Sequence, residues 1–542
     1  MNEDQNVSVA QALQRMVDES FASKLWDRDA TLWPEPSHGG DPVSQTLGWL
    51  DLPMRLSMLA AQFADLHSKL LRDGFTDVVV LGMGGSNMAP LTLNSIFGRS
   101  DSTFDDRPAI RLHTLDTVNP TTVSNITAEL DLRKTFFFVS SKSGTTIETL
   151  TLEAHFRSEM AGTDGSSINR KNFGALTDPG TPLAERARSG EFGTWVSTPD
   201  DVGGRFSALS AFGMMPAAAT GINIQAFSES AVRMAQQCQA DSTENPGLVL
   251  AAFLASNALQ GRDKVTLITS DEYSMFGMWV DQLLAESTGK NGKGLIPVTG
   301  ESVLALDDFA TDRQFVVFKS VDDDKRIHHA IFALRTSDHP VFVIELPSMD
   351  KHEIAGEFFR WQFATTAASS LMDIYPFDQP DVEAAKVKSR EFLTDPSVTI
   401  EGISLEAALE QIKSESSPRY VAITAFLPES PELTAAFSEL REGITKQTGM
   451  ATTFGYGPRY LHSTGQLYKG GPKNAIVLGF VSAKYDHLTV PGKSYTFGQL
   501  TEAQAGGDFT VMASSGQTVR LIKIESDLVG ELSVAVRTLN SY

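Results

Sequence analysis

The stretch Ser140-Ser-Lys-Ser-Gly-Thr-Thr-Ile-Glu-Thr149 sets Ser141, Lys142, Ser143, Thr145 and Thr146 where an apolar run ends and a helical pattern begins. The run Phe136-Phe137-Phe138-Val139 reads as a buried strand. Backbone N–H groups at a helix start lack intrahelical acceptors, and they suit an oxyanion. One capping serine is ordinary. Several hydroxyls together with a lysine indicate instead the binding of a phosphomonoester, carried by a sugar. Glu148 is poorly suited to touch phosphate and is read as holding Lys142 or another cation.

Five further segments could contribute. Gly82-Met-Gly-Gly-Ser86 joins a strand to a helix and offers Gly85 and Ser86 to a small anion. Its spacing departs from the dinucleotide pattern, although Asp116 downstream leaves a ribose contact as an alternative, and a plain structural turn is another. In Asp201-Val-Gly-Gly-Arg-Phe-Ser207, Gly204 allows close backbone approach and Arg205 supplies planar charged donors. Gln282 and Glu286 are four apart on one helix face, a carboxylate base with an orienting amide. Gln379 and Lys386 also share a face, about two turns apart. Among the histidines, His462 has the conspicuous setting, Arg459-Tyr-Leu-His462-Ser-Thr-Gly-Gln466. No metal-ligand spacing is present, so no metal is expected.

These groups need elements to hold them. Residues 1–65 read as a helical segment interrupted by Trp33-Pro-Glu-Pro36, with helical spacing over 12–25 and 43–63. Strand–helix alternation starts near residue 74, with strands expected at 77–81, 109–114, 135–140, 172–176 and 193–196. A second series has strands at 265–269, 314–318 and 341–345, and helices at 273–287, 352–371 and 379–393. Strand-like runs recur at 420–424, 474–482 and 518–525 around a glycine-rich turn region at 454–471. The fold class is α/β, with two doubly wound parallel-sheet domains at 66–235 and 236–395. A C-terminal α/β segment, 396–542, completes or covers the site.

A net charge of −22 argues against general nucleic-acid binding. It also requires that any phosphate site be built locally from cations and amides. The single Cys238, the absence of a leader pattern at the N-terminus and the lack of a bilayer-length apolar run point to the cytoplasm.

Taken in order, Gly82–Ser86, Ser141–Thr149, Val202–Ser207, Gln282–Lys290 and Phe377–Lys386 resemble the glucose-6-phosphate isomerase family, built from two sugar-isomerase (SIS) domains. The isomerase part of bacterial transaldolase/glucose-6-phosphate isomerase fusions is the nearest likeness, without room here for a transaldolase barrel. The resemblance implies that Ser141, Ser143 and Thr146 hold phosphate, helped by Lys142 and the Gly85-Ser86 loop. It implies Glu286 as the base between C1 and C2, and Arg205, with Gly204, beside the negative charge of a cis-enediolate. Gln282 and Gln379 become orienting or phosphate-side contacts, and Lys386 a ring-opening partner. The family's ring-opening histidine falls between the base and that lysine, where His328, His329, His339 and His352 stand in ordinary settings. His462, beyond the lysine, is therefore the expected replacement. The implied partner is a small sugar phosphate, the implied assembly a possible homodimer, and no cofactor is needed. Isomerisation that also accepts mannose 6-phosphate, and a non-catalytic sugar-phosphate-binding regulator, are the alternatives.

Overall fold

Runs that are apolar on both faces become the central strands of parallel sheets in this computed structural model. It describes residues 8–36, 42–98, 110–164, 170–302, 305–321, 325–347, 349–394, 402–415, 419–525 and 528–540. The N-terminal residues read as lacking a leader lie mostly outside that set. β1 (Asp77–Gly82) and β3 (Thr135–Ser140) are buried along their whole length. With β2 (Arg111–Leu115), β4 (Phe173–Thr177) and β5 (Thr194–Ser197) they form a sheet of order β2-β1-β3-β4-β5. Every pairing in it is parallel. The order reverses direction between β1 and β3, and ligands of such sheets collect beyond the carboxyl ends at that point.

A second parallel sheet has the order β7-β6-β8-β9, from β6 (Lys264–Ile268), β7 (Ile296–Val298), β8 (Arg313–Lys319) and β9 (Val341–Glu345). The third, β11-β10-β12-β13, is made of β10 (Tyr420–Phe426), β11 (Ala451–Tyr456), β12 (Ala475–Ser482) and β13 (Thr518–Ile524). The C-terminal segment thus carries a parallel sheet of its own. β11 occupies the start of the expected turn region, and β7 was not expected. β7 is three residues long with Pro297 at its centre, which only an edge strand tolerates. The helix expected over 43–63 begins instead at Leu52, because Pro53 fits a first helical turn and not an interior.

Eight helices serve the site: α1 (Leu52–Arg72), α2 (Met88–Phe97), α3 (Ile147–Asp164), α4 (Ser274–Thr288), α5 (Ile354–Leu371), α6 (Val382–Thr394), α7 (Gly465–Gly470) and α8 (Phe497–Ser514). One apolar core unites α1, α2, α4 and α5 with a face of the first two sheets. The C-terminal region packs on both neighbours. Val490, Phe497 and Leu500 join the other face of the first sheet. Tyr420, Tyr460 and Leu467 join Ala285, Ile296 and Val298 of the second unit. Burying side chains such as Phe497 and Leu500 contributes on the order of 1.5–3 kcal/mol each. Arg441 adds buried hydrogen bonds to the carbonyls of Thr299 (2.8 Å) and Gly300 (2.9 Å). No helix among the described residues is long and apolar enough to cross a membrane.

Candidate active site

The Gly82–Asn87 and Ser141–Thr146 loops leave the carboxyl ends of adjacent strands, β1 and β3. The Ser140 hydroxyl ties them by donating to the Ser86 carbonyl at 2.9 Å. α3 begins only at Ile147, so the serines and threonines form the loop before it. Ser141 Oγ and Thr146 Oγ1 lie 2.8 Å apart, and Ser143 Oγ and Thr145 Oγ1 lie 3.0 Å apart. Gly144 makes this possible: its φ is +66°, and a Cβ there would meet Thr181 Cβ at 2.8 Å. Ser143, Thr145 and Thr146 line a cavity of about 580 Å³ that also takes in Glu148, Lys386, His462, Lys469 and Gln504. Lys142 is absent from that wall. Its ammonium pairs with Asp178 and reaches the Asp200 carbonyl at 3.4 Å.

Glu286, on the last turn of α4, is buried and is not part of that cavity's lining. Gln282, one turn earlier, donates from Nε2 to Glu286 Oε2 (3.2 Å) and to the His462 carbonyl (2.9 Å). Its Oε1 is buried without a partner among the described residues. Arg205 Nη1 stands 3.7 Å from Glu286 Oε2. The same guanidinium donates to Ser287 Oγ (2.9 Å) and to the Pro376 and Asp378 carbonyls (2.5 and 3.0 Å). Lys290 Nζ pairs with Asp378 Oδ1 at 2.8 Å and donates to the Tyr375 carbonyl at 2.7 Å. Burial pushes the Glu286 carboxyl up to about 7, against the opposing pull of Arg205, Gln282, His462 and Lys290. Burial, reinforced by the Arg205 charge, brings Lys290 down to about 7. Arg205 is itself lowered by burial. Glu286 is therefore a carboxylate poised near neutrality, held beside a fixed positive charge.

His462 ends a short turn, Arg459–His462, and its Nε2 lies 3.0 Å from Glu148 Oε1. Gln504 Nε2 donates to the same oxygen at 2.6 Å. Burial works to raise the Glu148 carboxyl, yet the His462 charge and these bonds leave it below its ordinary value. A carboxylate on one ring nitrogen fixes the orientation of the imidazole. The partner of Glu148 is thus His462, whereas Lys142 pairs with Asp178. The backbone is close here too: a Cβ on Gly84 would meet the His462 carbonyl at 2.7 Å, and one on Gly85 the Gly204 carbonyl at 1.9 Å.

The structure therefore gathers Gly85, Gly204, Arg205, Gln282, Glu286 and His462 into one cluster. It sets Ser141, Ser143 and Thr146 along the next loop, with Ser86 buried beneath them. Lys386 reaches the same cavity from α6 but is half-exposed and paired with Glu383 at 3.1 Å. Gln379 is exposed before α6. His328 and His329 are exposed on their helix, and His339 packs on Phe315. His352 bonds Asp350. Asp116 is no free ribose ligand, since Asn87 (2.9 Å) and Arg459 (2.8 Å) occupy its carboxylate. Sequence reasoning did not single out Ser287, Lys290, Asp378 or Gln504. Ser287, Lys290 and Asp378 do lie inside the Gln282–Lys290 and Phe377–Lys386 segments, whereas Gln504 carries no local signal.

A family model described as phosphoglucose isomerase matches residues 69–368. A glucose-6-phosphate isomerase of Rubrobacter xylanophilus is 27% identical over 377 residues, 62% of this chain and 87% of that protein. A probable glucose-6-phosphate isomerase of Methanococcus maripaludis is 28% identical over 361 residues, 60% of this chain and 81% of that one. Among solved structures, a hypothetical protein of Thermus thermophilus superposes with TM-score 0.59 at 25% identity, covering 71% of this chain and 97% of its own. A glucose-6-phosphate isomerase of Chlamydia trachomatis shares the fold at TM-score 0.52 and 18% identity, covering 70% of this chain and 78% of its own.

Proposed function

From the premise that this chain belongs to the phosphoglucose isomerase family, whose model matches more than half of it, we propose the steps by which it interconverts glucose 6-phosphate and fructose 6-phosphate. The Ser141–Thr146 loop holds the phosphate, and binding energy gained there fixes C1 and C2 against Glu286. His462, oriented by Glu148, gives a proton to the ring oxygen while Lys386 faces the O1 side. Glu286 then takes the C2 proton of the open aldose, leaving a cis-enediolate, and returns it to C1. Arg205, already fixed by Ser287 and two carbonyls, stabilises the developing negative charge without reorganising.

The observation that carries this reading is the buried Glu286, lifted to about 7 and set 3.7 Å from Arg205. A binding protein needs the phosphate loop; it has no use for a poised base. The residues used come from one chain, so the reading asks nothing of a second copy, although the family resemblance implies a homodimer. The buried Cys238 accords with a cytoplasmic enzyme. Conversion of fructose 6-phosphate to glucose 6-phosphate, followed through a coupled dehydrogenase, tests it. Turnover by the wild type that Glu286→Gln abolishes supports the reading. No wild-type turnover, with sugar-phosphate binding still measurable, would move the non-catalytic regulator to the front.

A further inference from the structure

His462 stands at the end of a four-residue turn, which by itself does not fix an imidazole. What fixes it comes largely from α8, a helix beyond the last residue of the family match, 368. Two side chains four apart on α8, Gln504 and Asp508, share a face. Gln504 holds Glu148, the partner of His462 Nε2. Asp508, fully buried, takes the Tyr460 hydroxyl on one oxygen (2.6 Å) and the Lys469 ammonium on the other (2.5 Å). Tyr460 and Lys469 flank His462 in sequence, so one carboxylate grips its segment from both sides. A buried carboxylate is costly unless paired in this way.

The same helix also places α6, which carries Lys386. A Cβ on Gly507 would meet the Ser389 backbone nitrogen at 2.6 Å, and one on Gly506 the Phe392 ring at 2.7 Å. α6 therefore packs closely on α8 at these two glycines. Both ring-opening groups are referenced to one helix.

We propose that Gln504 and Asp508 are positioning residues for ring opening, setting where the His462 imidazole stands relative to Lys386 and acting on the Glu286 step only through the His462 carbonyl and Gln282. This rests on the isomerase reading above. The comparison needed is between a substrate that must be opened and one that cannot close. Fructose 6-phosphate is the first. A four-carbon aldose 4-phosphate is the second, because its esterified O4 is unavailable for a furanose ring. Exchange of its C2 proton with deuterium oxide, read by proton NMR, reports the Glu286 step alone.

Gln504→Met, Tyr460→Phe and Asp508→Asn are each expected to lower kcat/KM for fructose 6-phosphate by about 10- to 100-fold, the range for a misplaced catalytic group. Exchange in the four-carbon sugar falls far less, because the link to Glu286 runs through the His462 backbone carbonyl and Gln282, not through the imidazole. Equal losses on both substrates would mean a merely structural role and overturn the proposal, as would no loss on either. Asp508→Asn leaves Lys469 buried without its counter-charge. If that variant does not fold, Gln504→Met and Tyr460→Phe, which each remove one hydrogen bond, decide the matter. His462→Ala serves as reference. Should its loss fall equally on both substrates, the ring-opening assignment fails and this proposal with it. Wild type and Glu286→Gln would still report whether isomerisation occurs.

Discussion

Glu286 and His462 are joined through the amide of Gln282, yet their surroundings differ in kind. Glu286 sits in a buried network of Arg205, Ser287, Lys290 and Asp378, fixed by elements near one another in the second unit and by the Gly203–Ser207 loop. His462 is partly exposed, and it is held by residues from the first unit (Glu148) and the C-terminal unit (Gln504). The base is pre-set in a dry, charged interior where electrostatic effects are strong. The ring-opening side is assembled by long-range contacts on the wall of an open cavity. Under the proposed mechanism, enediolate formation falls in the buried network and ring opening falls on the partly exposed wall.

The sharpest way to break this contrast is at Glu286. Glu286→Gln is expected to reduce kcat by on the order of 10³- to 10⁴-fold, toward the top of the range for a positioned acid or base. The loss should be equal on fructose 6-phosphate and on the acyclic four-carbon sugar; coupled assay and deuterium exchange measured together check it. Arg205→Lys comes next, at about 10²- to 10³-fold in kcat, the loss typical for one donor to a developing oxyanion. A lysine keeps the charge but cannot reproduce the fork that Ser287 and the two carbonyls hold. A loss confined to KM would show that Arg205 binds ground state and transition state alike.

The pH dependence follows from the same burial. Glu286 must be ionised to act, and its carboxyl is raised to about 7. The acidic limb of kcat/KM should therefore fall about tenfold per unit below neutrality. Arg205→Met, which removes the opposing positive charge, should move that limb to higher pH. For stability the sign is reversed. A folded carboxyl that binds its proton more tightly than the unfolded one stabilises fully below the unfolded value of 4.5, and the gain is lost as pH rises through about 7. Thermal melts of Glu286→Gln and wild type should therefore diverge in favour of the variant as pH is raised.

How far this was legible in the sequence divides along the same line. Strands such as Asp77–Gly82 and Thr135–Ser140 show as continuous apolar runs, because a parallel sheet buries both faces. The phosphate loop shows because its hydroxyls are adjacent in sequence. Glu286 with Gln282 shows because helix geometry relates i to i+4. The partners of His462 carry no such mark. Glu148 is 314 residues away, and Gln504 meets Glu148 across 356. Buried polar pairs between distant segments leave no periodicity to read. Lys142 shows the same limit: its backbone belongs to the Ser141–Thr146 loop, but its side chain pairs with Asp178, on the adjacent strand's loop.

On the exposed side, His462→Ala is expected to cost about 10²-fold on fructose 6-phosphate, the lower end for an acid–base group, with the acyclic sugar spared. The smallest effect belongs to Lys386. Its side chain is 52% exposed and shares its charge with Glu383, in contrast to the buried Lys290. A charge that near to water contributes roughly 1 kcal/mol at 4 Å, so Lys386→Ala should lower kcat/KM by about fivefold, on ring-forming substrate only. Steady-state kinetics on both sugars measures this. A loss as large as that of Arg205→Lys would mean that substrate binding draws α6 inward and dries the lysine, so that the wall of the cavity becomes as enclosed as the Glu286 network. A fivefold loss would mean that the contrast between the two sides persists through turnover, with water still sharing the work of opening the ring.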